Sequence, residues 1–229
     1  MGITDQNHQN AEKLAAAKAA VKLVKNGDIV GLGTGTTATF AIKELGKLVA
    51  EGLNIKAVAS SIRTEELAKS LGIEILDLGK TSSVDISIDG ADEFTEGLDL
   101  IKGGGGALFR EKIVASLSKQ AIIVTDSSKK VKKLGLFTVP IEVIPLAYQY
   151  VFGQIVKLNG KGKKRIIDNH DYITDNGNLI IDADFGLIND PKALSDALNK
   201  IDGLLAHGLF IGLTAQVMMS DRSEIIIFK

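Results

Sequence analysis

Short apolar, β-branched runs and longer stretches with helical spacing follow one another along the first 130 residues. In the Ala- and Lys-rich stretch 11–26, Leu14, Val21 and Val24 recur near a helical period, which predicts a helix with Gly27 as a left-handed cap. Residues 28–33 predict a buried strand, 34–37 a turn and 38–51 a second helix that Gly52 ends. Further along, 54–60 predicts a strand, 64–70 a short helix stopped by Gly72, and 73–76 a short strand. Residues 84–89 alternate like a strand, 107–119 predict a helix and 121–125 another apolar strand. Strands and helices alternating with short Gly-bearing turns imply right-handed βαβ units and a Rossmann-like, mostly parallel sheet. Ligands of such sheets lie beyond the carboxyl ends of the strands. Chemistry is therefore expected in the loops after Gly33, Ser60, Asp89 and Thr125.

The texture changes near Leu136. Pro140 and Pro145 bracket an extended segment, 141–144, and a helix is predicted over 146–158. Residues 160–164 read as a basic, Gly-containing turn. Asn176-Gly177 signals a hairpin between 171–174 and 178–181. Asp190-Pro191 starts a helix that runs to about Lys200, with Asp as cap and Pro in the first turn. These elements predict a smaller α+β (ferredoxin-like) domain over 131–205, inserted before the C-terminal strands. Residues 1–130 plus 206–229 make the larger, Rossmann-like domain, where the catalytic chemistry is expected. The apolar segments 209–213, 215–219 and 225–228 are expected to return to the first sheet.

Composition narrows the chemistry. The 229 residues hold 27 Lys plus Arg against 28 Asp plus Glu, a net charge of −1, which disfavours a general nucleic-acid binder. There is no cysteine, so disulfides, thiolate metal sites and cysteine nucleophiles are impossible. His8, His170 and His207 fit no short metal-ligand motif. The first ten residues are polar and lack the apolar core of a signal peptide, and the longest apolar stretch, 204–219, falls short of a membrane span. A soluble cytoplasmic protein is expected, with neither nucleic acid nor membrane as partner.

Four clusters could carry chemistry. The first, Gly31-Leu32-Gly33-Thr34-Gly35-Thr36-Thr37, lies between a strand and a helix, where glycines admit a ligand to the backbone and helical N–H groups attract anions. Its Gly-x-Gly-x-Gly spacing, and a second strand ending in Ser60-Ser61 instead of an acid, oppose a dinucleotide site. A phosphate, phosphosugar or carboxylate fits better. The second, Asp89-Gly90-Ala91-Asp92-Glu93, places three acids at a ligand-facing edge, where acid–base work competes with a simple acidic turn. The third is Lys102-Gly103-Gly104-Gly105-Gly106 followed by a helix carrying Glu111. Four consecutive glycines are costly in chain entropy, and a loop wrapping an anionic intermediate explains them more readily than packing. Glu111 has apolar i±3 and i±4 neighbours, which raise its proton affinity, while Lys102 and the helix N-terminus lower it; such a carboxylate suits a general base. The fourth, Asp126-Ser127-Ser128-Lys129, suits phosphate or sugar hydroxyls. The run Lys161, Lys163, Lys164, Arg165 reads as a solvated basic turn.

Together these motifs resemble type A ribose-5-phosphate isomerase. The resemblance rests on residues 31–37, 89–93, 102–108 with Arg110-Glu111-Lys112, and 126–129. Val139-Pro140-Ile141-Glu142-Val143-Ile144-Pro145 and Thr174-Asp175-Asn176-Gly177-Asn178 also match, all in family order. It implies interconversion of D-ribose 5-phosphate and D-ribulose 5-phosphate without metal or organic cofactor, by a homodimer or homotetramer. Glu111 would be the proton acceptor, with Lys102, Asp89 and Asp92 as the other catalytic side chains. Substrate would be bound by Thr34, Gly35, Thr36 and Thr37, by Asp89, Gly90, Ala91 and Asp92, by Lys102, Gly103, Gly104 and Gly105, and by Lys129 and Lys13. Ile62-Arg63 lies in a loop that is often small and Ser/Thr-rich in relatives, so no contact is assigned there. Two other readings stay open: an amino-sugar phosphate deaminase of similar fold, and a non-catalytic phosphosugar sensor, which could dispense with Glu111.

Overall fold

The computed structural model of the chain describes residues 3–222 and 224–229. It divides into two compact units: Met1–Ala91, Ile113–Lys129 and Leu213–Lys229 form the first, and Asp92–Lys112 with Lys130–Gly212 form the second.

The first unit is built on a seven-stranded sheet in the order Glu224–Phe228, Gln216–Asp221, Ser118–Asp126, Val84–Asp89, Ile29–Leu32, Lys56–Ala59, Glu74–Ile75. All neighbours are parallel except the edge pair Gln216–Asp221 and Glu224–Phe228. Helices α1 (Ile3–Val21), α2 (Thr36–Ala50) and α3 (Ile62–Ser70) belong to this unit. Ala16, Ala17 and Ala20 of α1 and Ala41, Ile42 and Leu45 of α2 bury one face in a cluster with Val30, Leu32, Ile86, Ile88, Ile122 and Val124 of the strands. The alanines let α1 approach closely, and close packing rather than bulk holds it there. The chain leaves α1 before the expected end at 26, because Leu23 and Val24 bond to carbonyls three residues back in tightening turns. Gly27 then takes the left-handed conformation, φ 87°.

In the second unit, Leu204–His207, Val139–Val143, Leu179–Asp184 and Lys161–Lys164 form a four-stranded antiparallel sheet in that order. Helix α4 (Leu108–Leu117) begins in this unit and ends in the first; α5 (Tyr148–Lys157) and α6 (Pro191–Leu198) lie wholly in the second. Val151 and Ile155 of α5 and Leu198 of α6 are buried with Val139, Ile141, Val143 and Ile181 of the sheet. Asp190 caps α6, its side chain accepting from the Ala193 N–H. A small three-stranded sheet orders Leu209–Phe210, Leu100–Ile101 and Glu93–Phe94.

Four expectations are corrected. Residues 161–164 form an edge strand, not a turn; its lysines suit an edge, where charge discourages pairing with another chain. Asn176-Gly177 does form a tight turn, closed by Thr174 and Asn178, but Leu179–Asp184 pairs with Val139–Val143 and Lys161–Lys164 rather than with 171–174. Of the three C-terminal runs, Leu209–Phe210 joins Leu100–Ile101, and only the later two enter the large sheet. Ile62 and Arg63 are the first turn of α3, capped by the Ser61 side chain on the Thr64 N–H, and so are not loop residues.

The 174–178 turn is tied to the sheet by one carboxylate. Glu142 is fully buried, and its Oε1 accepts from Thr174 Oγ1 (2.8 Å), Asn176 Nδ2 (3.0 Å) and Asn178 Nδ2 (3.0 Å). Replacing it by Ala strands three donors, two of them buried. Glu142→Ala should lower unfolding stability by about 2–4 kcal/mol and Glu142→Gln by less, read as urea midpoints.

Candidate functional site

In the first unit, the carboxyl ends of three neighbouring strands converge. Asp89 ends the Val84–Asp89 strand, and its Oδ1 accepts from the N–H groups of Thr34 (3.1 Å) and Gly90 (2.7 Å). A Cβ at residue 33 would sit 2.0 Å from that oxygen, so Gly33 is required for the approach. Thr34 Oγ1 lies 2.7 Å from Ser60 Oγ, 2.9 Å from Ser61 Oγ and 3.2 Å from Thr64 Oγ1. Gly35, with φ 105°, is the N-cap of α2 and makes no side-chain cap bond. The first-turn N–H groups beside exposed Thr36 and half-buried Thr37 are therefore not spent on a capping side chain. Gly90 and Ala91 are half-buried.

At the end of Ser118–Asp126, Lys13 Nζ stands 3.8 Å from Asp126 Oδ2, and Asp126 Oδ1 accepts from the Ser128 N–H and hydroxyl. Lys129 closes the short 3₁₀ turn Ser127–Lys129. One contributor escaped sequence reasoning. Glu12, buried on α1, accepts from Ser127 N and Oγ (3.0 Å each) and from Arg222 N (3.1 Å). Burial alone would raise its pKa, but those bonds and His8 outweigh it and hold the carboxyl below the usual range.

In the second unit, Lys102 and Glu111 come together. Lys102 follows the Leu100–Ile101 strand and Glu111 stands in the first turn of α4, where the helix favours a negative charge. Lys102 Nζ and Glu111 Oε2 are 3.6 Å apart, and both side chains are buried. The Lys102 ammonium also lies 5.4 Å from the centre of the Phe210 ring. The Gly104 N–H donates to Asp92 Oδ2 at 2.8 Å.

The glycine loop has more local reasons than expected. Gly103 (φ 99°) and Gly106 (φ 83°) need positive φ, and a Cβ on Gly106 would collide with the Tyr172 hydroxyl at 2.1 Å. A Cβ on Gly104 would press on Asp92 at 2.6 Å. Backbone geometry and close packing thus account for three of the four glycines, beside any role toward a ligand.

Lys112, quoted in sequence only as part of a motif, proves to be a clamp. Its Nζ donates to His207 O (2.7 Å) and Leu209 O (2.9 Å) and lies 4.9 Å over Phe210. Burial pushes this ammonium down to about 8. Burial and then the Lys112 charge push His207 down to about 3, so its imidazole is neutral, with Nδ1 accepting from the Leu209 N–H and Nε2 facing Asn199 Oδ1 at 3.0 Å. An unfolded chain binds a proton here below about 6.5, and the folded chain does so only near 3. Stability from this group is therefore complete above about pH 6.5 and falls as pH drops toward 3, by up to about 1.4 kcal/mol per pH unit. Urea midpoints of the wild type between pH 7 and 4 should fall more steeply than those of His207→Gln; parallel curves would refute the assignment.

A cavity of about 710 Å³ in the second unit is lined by Thr95, Glu96, Asp99, Lys130, Lys132, Lys133, Ile188 and neighbours, and by none of the candidate site residues. Among the described residues, no three His, Asp or Glu side chains gather in a way that could hold a metal ion. None of their helices is long and apolar enough to cross a membrane.

Comparison with known proteins agrees with this fold. A family model described as ribose 5-phosphate isomerase A (phosphoriboisomerase A) matches residues 56–224. Ribose-5-phosphate isomerase A of Parvibaculum lavamentivorans is 45% identical over 224 residues, covering 94% of this chain and 97% of its own. That of Sphingopyxis alaskensis is 43% identical over 210 residues, covering 92% of each. Among solved structures, ribose 5-phosphate isomerase A of Methanocaldococcus jannaschii superposes with TM-score 0.91 at 40% identity, covering 96% of this chain and 98% of its own. A D-ribose-5-phosphate isomerase in complex with phospho-erythronic acid gives 0.93 at 35% identity, covering 96% and 99%. The fold and these matches define an isomerase of carbohydrate metabolism. The chain belongs to the ribose 5-phosphate isomerase A family.

Proposed function

We propose that this isomerase interconverts D-ribose 5-phosphate and D-ribulose 5-phosphate through an enediolate, with Glu111 moving the proton between C2 and C1. The observation that carries the reading is the buried Lys102–Glu111 pair, 3.6 Å between Nζ and Oε2. From the aldose side, the Glu111 carboxylate takes the C2 proton. The C–H electrons form the C1–C2 double bond, and the carbonyl pair moves onto O1. Glu111 then returns its proton to C1, the O2 hydroxyl gives up its own, and the ketone forms at C2. Lys102 stabilises the transient oxyanion, together with the amides of Gly103 and Gly105, the Gly104 N–H being held by Asp92; fixed donors in water-poor surroundings do this far better than solvent.

The proton that must pass from O2 to O1 is assigned to Asp89 and Asp92, and Asp89 also assists ring opening. For Asp89, Gly90, Ala91, Lys13 and Lys129 the assignment rests on the motif resemblance. The uncapped first turn of α2 supports reading Thr36 and Thr37 as phosphate contacts, and Thr34 and Gly35 stay with them in the substrate site on the motif resemblance. A relative's capture of phospho-erythronic acid, a phosphorylated sugar acid, supports a phosphosugar as ligand. The assembly is read as a cytoplasmic homodimer, with a homotetramer as the alternative; light scattering showing a monomer would remove both.

Purified protein given ribose 5-phosphate in deuterated buffer should yield ketose carrying solvent deuterium at C1, since the Glu111 proton can exchange between the two steps. The same protein should release no ammonia from an amino-sugar phosphate. Failure to form ketose, or ammonia release instead, would overturn the assignment.

A further inference from the structure

We propose that Arg165 is a positioning residue for the isomerisation, setting which way the amides of the glycine loop face. The inference rests on the reading of Lys102, Glu111 and the Gly103 and Gly105 amides given above. Arg165 follows the edge strand Lys161–Lys164 and is 11% exposed at its side chain. Its guanidinium is used on both sides. Nε and Nη2 grip the two carboxylate oxygens of Asp182 in a bidentate fork, at 2.9 Å for Nε. Nη1 donates to the carbonyls of Gly103 (3.0 Å) and Gly104 (3.1 Å). The fork fixes the plane of the guanidinium, and the guanidinium in turn fixes two consecutive peptides.

That grip has a directional consequence. In a trans peptide the N–H points opposite to the C=O. The Gly103 carbonyl, held by Arg165 and by the Gly106 N–H (3.0 Å), belongs to the peptide whose N–H donates to Asp92 Oδ2 at 2.8 Å. The Gly104 carbonyl belongs to the peptide whose N–H is that of Gly105. With its carbonyl on Arg165, this N–H is aimed away from the guanidinium. The Gly103–Gly104 peptide is also held by Asp92 and the Gly106 N–H, whereas the Gly104–Gly105 peptide, with no Cβ on either side to restrict φ and ψ, has the freedom to flip. Arg165 thus removes a freedom that glycine introduces, and the amides keep one orientation when negative charge develops. It touches neither substrate nor reacting atoms.

The test compares Arg165→Met, Arg165→Lys and Glu142→Gln, the last as a stability control whose bonds go to the 174–178 turn and not to the glycine loop. Arg165→Met should lower kcat about 10- to 100-fold with KM within about threefold of wild type, because only the charge-stabilising amides are disturbed. Arg165→Lys, able to hold one carbonyl but not both, should fall between. Glu142→Gln should lower Tm while leaving kcat within about twofold. Wild-type kcat in folded Arg165→Met, or in Arg165→Lys if the Met variant does not fold, would overturn the inference. So would an equal fall of kcat in Glu142→Gln at matched loss of Tm. Glu111→Gln, assayed alongside, separates the two levels: if it stays active, the site reading itself fails; if it is dead while both Arg165 variants are unimpaired, only this inference fails.

Discussion

Glu111→Gln should lower kcat by about 10²–10⁴-fold, the usual contribution of a positioned general base. Gln keeps the size and one carbonyl oxygen of Glu, so packing of the buried position survives while the proton acceptor is lost. The loss should appear in kcat, with KM little changed, because the carboxylate is needed in the transition state and not to hold the ground state. Solvent deuterium should also cease to enter substrate recovered from the reaction, since abstraction at C2 is the step removed. Near-normal turnover in the folded variant would take Glu111 out of the mechanism. A loss of turnover with undiminished exchange would place its role after abstraction.

Lys102→Met should lower kcat by about 10²–10³-fold, the scale of deleting one oxyanion donor. Met matches the length of the Lys stem and can keep contact with Phe210, whose ring lies 5.4 Å from Nζ. What disappears is the cation 3.6 Å from Glu111. Removing one member of a buried ion pair also destabilises the fold, because the other charge is left in a poor solvent. Activity should therefore be compared at a temperature where circular dichroism shows the variant fully folded. Lys102→Arg should not retain full activity, since a planar fork does not reproduce a compact ammonium at one point. Recovery to wild-type kcat in Lys102→Met would exclude the ammonium from charge stabilisation.

Much of the framework was legible because glycines and caps punctuate it. The Val84–Asp89 strand was expected at its observed bounds, and Asp190-Pro191 announced α6 through local chemistry alone. Lys102 and Glu111 could be singled out because a glycine run is costly and a carboxylate among apolar helical neighbours is unusual. The missed parts depend on long-range pairing. Glu93–Phe94, Leu100–Ile101 and Leu209–Phe210 are two residues each, too short for any period to show, and they exist as strands only through each other. Residues 161–164 carry lysines at three of four positions and no apolar alternation, so their pairing with Leu179–Asp184 left no local trace. No local sequence signal sets out the contacts of Arg165, Lys112 or Glu12. Each owes its role to carbonyls, N–H groups or carboxylates far along the chain.

The hub at Glu142 restricts how this chain can be recombined with relatives. One oxygen serves three donors that lie 32, 34 and 36 positions downstream. A chimera that imports 139–145 from a homologue without 174–178 from the same parent risks breaking all three bonds at once. Crossovers that keep both segments from one parent should fold, and a deep mutational scan should find these two stretches covarying as a single inherited block.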